Sequence, residues 1–132
     1  MHRSVTVLGA GCMVALLSCL RLPCETYVIQ RIPSPNGELE GVVFDRRCGA
    51  TSGFNTQLSI VVPGATPDEP GNALIVDADH GLAPVGPAGG PEIQVVWQGD
   101  SMLHVRLDRR ARSFKQDTIV EGVRVVYELT AR

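Results

Sequence analysis

The chain has 132 residues, a formal net charge of −2 and 44% hydrophobic residues. This length suffices for one globular domain and is too short for two. Because the charge is close to neutral and no acidic or basic tail is present, no nucleic acid or other polyanion is expected as a partner. The 14 glycines and 9 prolines favour short strands joined by turns over long helices.

Residues 1–18 have the pattern of a secretory signal segment. His2 and Arg3 form a short basic start, and an apolar run follows over residues 5–17. The run is shorter than the roughly 20 residues that a membrane-spanning helix needs. Part of it resembles the start of a dinucleotide-binding turn, but the third glycine position is Val14 and no acidic ribose ligand follows at the expected distance. We therefore predict a signal segment and reject a Rossmann unit.

The end of this segment, Leu16-Leu17-Ser18-Cys19, resembles a bacterial lipobox, in which the cysteine becomes the lipid-modified first residue after cleavage. Leu16 and Ser18 fit that motif, whereas Leu17 is a less usual middle residue. Each buried methylene of an acyl chain contributes about 0.8 kcal/mol, so two or three chains would anchor the protein on a membrane. We expect the lipid on Cys19 and, since Leu20 is not acidic, an outer-membrane location facing the periplasm if the cell is Gram-negative. A plain signal peptide or an uncleaved anchor stays open.

Four cysteines are present, at positions 12, 19, 24 and 48. If Cys12 leaves with the signal and Cys19 carries the lipid, Cys24 and Cys48 remain as a pair in an oxidising compartment, where a disulfide is expected. The bridge would close a loop of about 25 residues and stabilise the fold by roughly 3 kcal/mol. Neither cysteine lies in a C-x-x-C motif and no paired histidines accompany them, so redox chemistry and a zinc site are not predicted.

The rest of the chain reads as short strands joined by turns. The β-favouring or alternating runs are residues 27–32, 39–47, 56–62, 73–78, 93–97, 103–107, 113–120 and 123–129. Residues 19–33 are assigned to the lipidated N-terminus and a short tether or first strand, and residues 34–132 to a single β domain. No segment shows helical periodicity. We therefore predict an all-β fold, an antiparallel sheet of about seven strands that forms a small sandwich or open barrel.

Alternation within these runs predicts which side chains face the core. In the run over residues 56–62, the residues that share one face are Leu58, Ile60 and Val62. In the last run, the residues predicted to point inward are Val125, Tyr127 and Leu129.

Several short motifs lie between residue 34 and residue 127. They are S-P-N-G at 34–37, V-V-F at 42–44, C-G-A-T-S-G-F-N-T-Q at 48–57, G-N at 71–72, D-H-G at 79–81 and V-x-V-x-Y at 123–127. On these motifs the chain resembles a family of small bacterial secreted or lipid-anchored proteins classed as a domain of unknown function. The resemblance covers nearly all of the chain after the signal segment. It implies a β-rich fold and an envelope location, and it names no catalytic residue.

Residues 48–57 hold the densest set of small and hydroxyl residues. Here Thr51, Ser52, Asn55 and Gln57 could present hydroxyls and amides beside exposed glycine backbone, which would suit an anion or a sugar. The serine stands one place too late for a G-x-S-x-G nucleophile elbow. Glycines beside a disulfide also suit a tight corner between strands, where such side chains satisfy local backbone groups. The sequence favours the corner and leaves the binding site open.

A second candidate is the acidic turn Asp77, Asp79 and His80, which could begin a metal site or an acid–base pair. At a strand end the two carboxylates would point the same way and the imidazole the other. A metal site would need a further ligand, which Glu92 or His104 would have to supply, and His104 alone is expected to be a surface residue. We therefore favour a turn and predict no metal ligand and no catalytic residue.

A third candidate is the basic run, defined as Arg106, Arg109, Arg110 and Arg112. Nucleic-acid binding would require interleaved aromatic residues, and only Phe114 is near. A solvated hairpin end is favoured, and contact with anionic lipid headgroups stays open.

Together these patterns predict a lipid-anchored envelope protein that binds a partner or gives structural support without catalysis. A partner could be an envelope protein or a small ligand, and no cofactor is predicted. Two alternatives remain, a small metal-dependent hydrolase that uses Asp79 and His80, and an inhibitor or immunity protein for an envelope enzyme.

Overall fold

A computed structural model describes residues 23–49 and 53–131. These residues form nine strands: β1 (Cys24–Pro33), β2 (Glu40–Cys48), β3 (Thr56–Val61), β4 (Leu74–Asp77), β5 (Ile93–Trp97), β6 (Met102–Asp108), β7 (Arg112–Gln116), β8 (Ile119–Val120) and β9 (Val123–Thr130). A five-stranded sheet has the order β1-β2-β3-β4-β7, and a four-stranded sheet has the order β5-β6-β9-β8. The all-β prediction is confirmed, with more strands than the seven expected.

The two sheets face each other across an aliphatic core. The fully buried side chains of the five-stranded sheet include Leu58, Ile60, Leu74 and Val76, and those of the four-stranded sheet include Leu103, Val105, Val123 and Val125. Burying an aliphatic side chain of this size contributes about 1.5–3 kcal/mol. The core therefore lies between the sheets, as in a sandwich. Among the described residues there is no helix long and apolar enough to cross a membrane.

One strand pair departs from the predicted antiparallel arrangement. β6 and β9 run parallel, with Met102 opposite Arg124 and Asp108 opposite Thr130. After β6 the chain reverses at residues 109–111, returns as β7 and β8, and reverses again at residues 121–122. Two reversals restore the original direction, so the strand that fits beside β6 must pair with it in parallel.

The run over residues 113–120, predicted as one strand, is two strands in different sheets. β7 pairs with β4, whereas β8 pairs with β9. The change occurs at two residues: the Asp117 N–H donates to Ala73 O at 2.8 Å, and Thr118 O accepts from the Val125 N–H at 2.8 Å. The first bond holds the chain to the five-stranded sheet and the second to the four-stranded sheet. The segment therefore closes one side of the sandwich.

Two residues predicted to face the core are exposed. Val62 is 65% exposed, because β3 ends at Val61 and the chain then turns. Leu129 is 58% exposed, because β8 pairs only with the first residues of β9 and leaves its second half at the edge of the sheet.

Residues 63–72 cover the outer face of β3, so this strand is buried on both sides. The Gly71 N–H donates to Gln57 Oε1 at 2.7 Å. Asn72 accepts from the Ile60 N–H and donates to Ile60 O, both at 2.8 Å. These bonds explain why Gln57 is only 6% exposed although it points away from the core.

The predicted disulfide is confirmed, and it fixes the start of the edge strand β1. Cys24 lies opposite Cys48 in the β1–β2 register, and their Cα atoms are 4.1 Å apart. β1 is longer than the predicted run over residues 27–32 and pairs with β2 along its length, with one register shift between Val28 and Gln30. The bridged end of the sandwich is called the disulfide end below.

Candidate functional site

A groove opens at the disulfide end, between β1 and the loop of residues 85–91. Two adjoining cavities of about 440 and 480 Å³ form it, and they share Ile29, Pro87 and Ala88. Its walls include Tyr27, Ile29, Val43, Phe54, Pro87 and Ala88. We call this feature the disulfide-end groove. Its walls are largely apolar, as ligand-binding clefts usually are.

The loop over residues 85–91 is folded tightly enough to form a wall of this groove. Val85 pairs with Pro91, and the Gly86 N–H donates to Gly90 O at 2.8 Å. A Cβ at Gly89 would lie 2.5 Å from the ring of Phe54, and its φ of +98° also favours glycine. A glycine is therefore needed where the loop meets the aromatic ring.

An arginine lies between two aromatic rings at one end of the groove. The guanidinium carbon of Arg47 is 4.8 Å from the Tyr27 ring centroid and 4.5 Å from that of Phe54. Arg47 Nε donates to Asp45 Oδ2 at 2.7 Å, and the Asp45 side chain is 1% exposed. Because its charge is matched by this buried carboxylate, Arg47 adds stacking to the groove and little net charge.

The phenol of Tyr27 is also engaged by a neighbour. Its hydroxyl donates to a carboxylate oxygen of Glu25, and this hydrogen bond raises the pKa of Tyr27. The hydroxyl is therefore engaged within the protein.

The rim of the groove exposes large apolar side chains. Their exposed fractions are 45% for Tyr27, 41% for Val28, 45% for Ile29 and 53% for Phe54. We call these four residues the disulfide-end apolar surface. Contiguous exposed apolar residues of this kind mark interaction sites more often than isolated ones do.

Two members of the first predicted site, Asn55 and Gln57, bind the protein itself. Asn55 accepts from the Arg46 N–H at 3.1 Å and donates to Arg46 O at 2.6 Å, so it pairs with β2 as a strand residue would. Gln57 donates to Asn55 Oδ1 at 2.9 Å, and its own oxygen accepts from Gly71. These two side-chain amides therefore stabilise the corner after β2. The predicted Thr51, Ser52 and lipidation site Cys19 lie outside the described residues.

The acidic turn forms ion pairs with Arg112, a member of the basic run. Arg112 donates to Asp77 through Nη2 at 2.6 Å and through Nε at 3.1 Å, and this bidentate contact lowers the pKa of Asp77. Its Nη1 lies 3.7 Å from Asp79 Oδ1. Asp79 and His80 have φ values of 49° and 57°, which mark a left-handed turn. His80 is exposed.

Neither proposed extra ligand joins His80. His104 lies 3.6 Å from Glu128, which also pairs with Arg106 at 3.2 Å. Glu92 instead lines the disulfide-end groove and packs against Gly86. Within residues 23–49 and 53–131, no three His, Cys, Asp or Glu side chains are grouped so that they could hold a metal ion.

Most of the basic run is distributed over separate ion pairs. Besides the Arg106 and Arg112 pairs, Arg110 donates to both carboxylate oxygens of Asp108 at 2.9 Å. These bonds lower the pKa of Asp108 to about 2. The described arginines therefore mostly neutralise carboxylates.

The groove was not predicted from the sequence. Tyr27 is distant in the chain from Arg47 and Phe54, and the pairing of β1 with β2 and the corner after β2 bring the three together. A usable signal was the scarcity of aromatic residues: the chain has only three Phe and two Tyr, and three of these five, Tyr27, Phe54 and Phe114, are exposed.

No protein-family model matches the chain, and comparison with curated proteins and with solved structures also found no match. The resemblance to small secreted or lipid-anchored proteins therefore stays a prediction.

Proposed function

We propose that the protein is a lipid-anchored cell-envelope protein whose β-sandwich is a non-catalytic binding module. The observation that carries the proposal is the disulfide-end groove, an apolar cleft with exposed aromatic rims beside the start of the fold. Such clefts bind apolar or aromatic groups through removal of surface from water.

The envelope location is supported by two independent features. The disulfide between Cys24 and Cys48 is typical of proteins that fold in an oxidising compartment. The segment from Leu16 to Cys19 has the lipobox pattern. A cytoplasmic location would explain neither feature.

The non-catalytic role is supported by the ion pairs that occupy the carboxylates of the acidic turn. A hydrolase that used Asp79 and His80 would need a carboxylate free to take a proton or bind a metal. Arg112 instead contacts both Asp77 and Asp79. In calorimetric titrations with zinc, calcium or manganese, the wild-type protein and His80→Ala should give the same heat. A binding heat that is present in the wild-type protein and lost in His80→Ala would contradict this part of the proposal.

The anchor is tested by labelling cells with a palmitate analogue. We expect label on the wild-type protein and none on Cys19→Ala. The matched control is Cys12→Ala, which should keep the label because the apolar run before Cys12 is too short for a signal. Equal labelling of Cys19→Ala and the wild-type protein would overturn the anchor.

A further inference from the structure

The short distance in sequence between the proposed lipid-bearing residue and the start of β1 limits how far the groove can lie from the membrane. β1 begins at Cys24, five residues after Cys19. An extended chain spans at most about 3.6 Å per residue, so Cys24 is within about 18 Å of the proposed lipid-bearing residue. The disulfide end must therefore stay close to the membrane surface.

The same end presents the disulfide-end apolar surface. Tyr27, Val28 and Ile29 begin three residues after Cys24 along β1. Phe54 lies beside them on the other side of Arg47. A folded protein partner is about 30 Å across, which is more than the tether allows between this end and the bilayer. Lipid is the partner that fits the available space.

We propose that the disulfide-end groove binds the bilayer in which the protein is anchored, with Tyr27 and Phe54 inserted at the level of the lipid headgroups. The proposal rests on the lipid anchor of the preceding section. Tyrosine suits this position because its ring is apolar and its hydroxyl is polar, and amphipathic rings concentrate at membrane interfaces. The surface then holds the sandwich in a fixed orientation on the membrane.

The charges at this end indicate that the contact is apolar rather than electrostatic. Arg47 is paired with Asp45, and Glu25 accepts from Tyr27. Arg46, which lies opposite Thr26, donates to the backbone oxygen of Asp68 at 2.6 Å. These charged groups are therefore each engaged within the protein. Binding should therefore need no anionic lipid. It should also persist at about 1 M salt, where surface charges are screened within about 3 Å.

The test uses the full-length, lipidated protein in vesicles of neutral phosphatidylcholine with brominated acyl chains, which quench tryptophan only at short range. One variant is Phe54→Trp, and a second is Tyr27→Trp, so that the test does not depend on a single substitution. The matched control is Phe114→Trp, since Phe114 also stacks on an arginine, at 5.0 Å, and is 62% exposed on the opposite edge strand β7. The native Trp97 is common to all the proteins and donates to Ile32 O at the other end of β1.

We expect bromine to reduce the added emission of Phe54→Trp and Tyr27→Trp by about twofold, as for a side chain at the headgroup–acyl boundary. The emission of Phe114→Trp should change no more than that of the wild-type protein. If the proteins stay on the vesicles but all three variants are quenched equally, or none is, the bilayer contact is wrong while the anchor stands. If the quenching disappears at high salt, the contact is not apolar and the proposal also fails. Failure of the anchor itself is seen separately, as palmitate label on Cys19→Ala.

Discussion

At the scale of single residues, the disulfide end depends on a buried carboxylate. Asp45 is almost fully buried and accepts hydrogen bonds from Arg47 and from the backbone N–H of Asn55. Burying a charge is unfavourable unless a partner compensates it. Arg47 thus has a structural role in addition to its place between the two rings.

Replacing this arginine should destabilise the protein because it leaves the Asp45 carboxylate buried without a counter-charge. We expect Arg47→Ala to lower the free energy of unfolding by about 1–3 kcal/mol, measured by urea denaturation. Arg106→Ala is the control, since Arg106 pairs with the half-exposed Glu128 and should cost about 1 kcal/mol or less. Equal losses for the two variants would contradict the role given to Asp45.

A second residue-scale prediction concerns acid stability. Arg110 lowers the pKa of Asp108 from 3.8 to about 2 in the folded protein. A depressed carboxylate pKa contributes stability that is present above pH 3.8 and is lost as the pH falls towards 2. The difference in Tm between the wild-type protein and Asp108→Asn should therefore be largest near neutral pH and shrink between pH 4 and pH 2. A difference that is unchanged at pH 2 would show that the pair does not act through this ionisation.

At the scale of elements, β1 is an edge strand that is tied down at one end by a covalent bridge. Removal of the bridge in Cys24→Ser/Cys48→Ser should lower the free energy of unfolding by roughly 3 kcal/mol, since the bridge closes a loop over a sequence separation of 24. Hydrogen exchange should locate the loss, with amides near the start of β1 exchanging faster and those of β3 least affected. Uniform acceleration across both sheets would show that β1 is not a separate unit.

The covering of β3 by residues 63–72 depends on one close backbone approach. A Cβ at Gly71 would lie 2.6 Å from Leu74 O and 3.0 Å from Leu58 O, both backbone atoms that cannot move freely. We expect Gly71→Ala to cost about 1–3 kcal/mol. Gly53→Ala is the matched control, since no atom of the described residues lies within 4 Å of a Cβ there, and its cost should be within about 0.5 kcal/mol. A neutral Gly71→Ala would mean that the loop can shift away from β3.

At the scale of the whole molecule, the two sheets are held together by buried side chains of β6. Leu103 is fully buried, and its Cδ2 would lie 3.8 Å from a Cβ at Gly41 in the other sheet. Leu103→Ala should therefore cost about 2–5 kcal/mol in urea or thermal unfolding. Leu129→Ala, at an exposed position, should cost far less. Similar costs for the two would contradict the assignment of Leu129 to the sheet edge.

The sequence alone determined the class of fold and much of its local structure. Alternating apolar residues specify strands because successive side chains of a strand point to opposite faces, and that rule needs no knowledge of neighbours. It sufficed to find the strands around Leu58, Ile60, Leu103 and Val105. The bridge between Cys24 and Cys48 was predicted from the cysteine count on the premise that Cys12 leaves with a signal and Cys19 is lipidated, and the bridge itself is confirmed.

The tertiary structure alone decided where strands meet and which side chains share a site. Alternation carries no information about sheet order, so the parallel pairing of β6 with β9 and the change of sheets at Asp117 could not be predicted. The exposure of Leu129 follows from the shortness of β8, which is a property of its neighbour. Arg112 came to Asp77 through the pairing of β7 with β4, which joins distant parts of the chain. The groove arose where β1 pairs with β2 and the corner after β2 places Phe54 against Arg47.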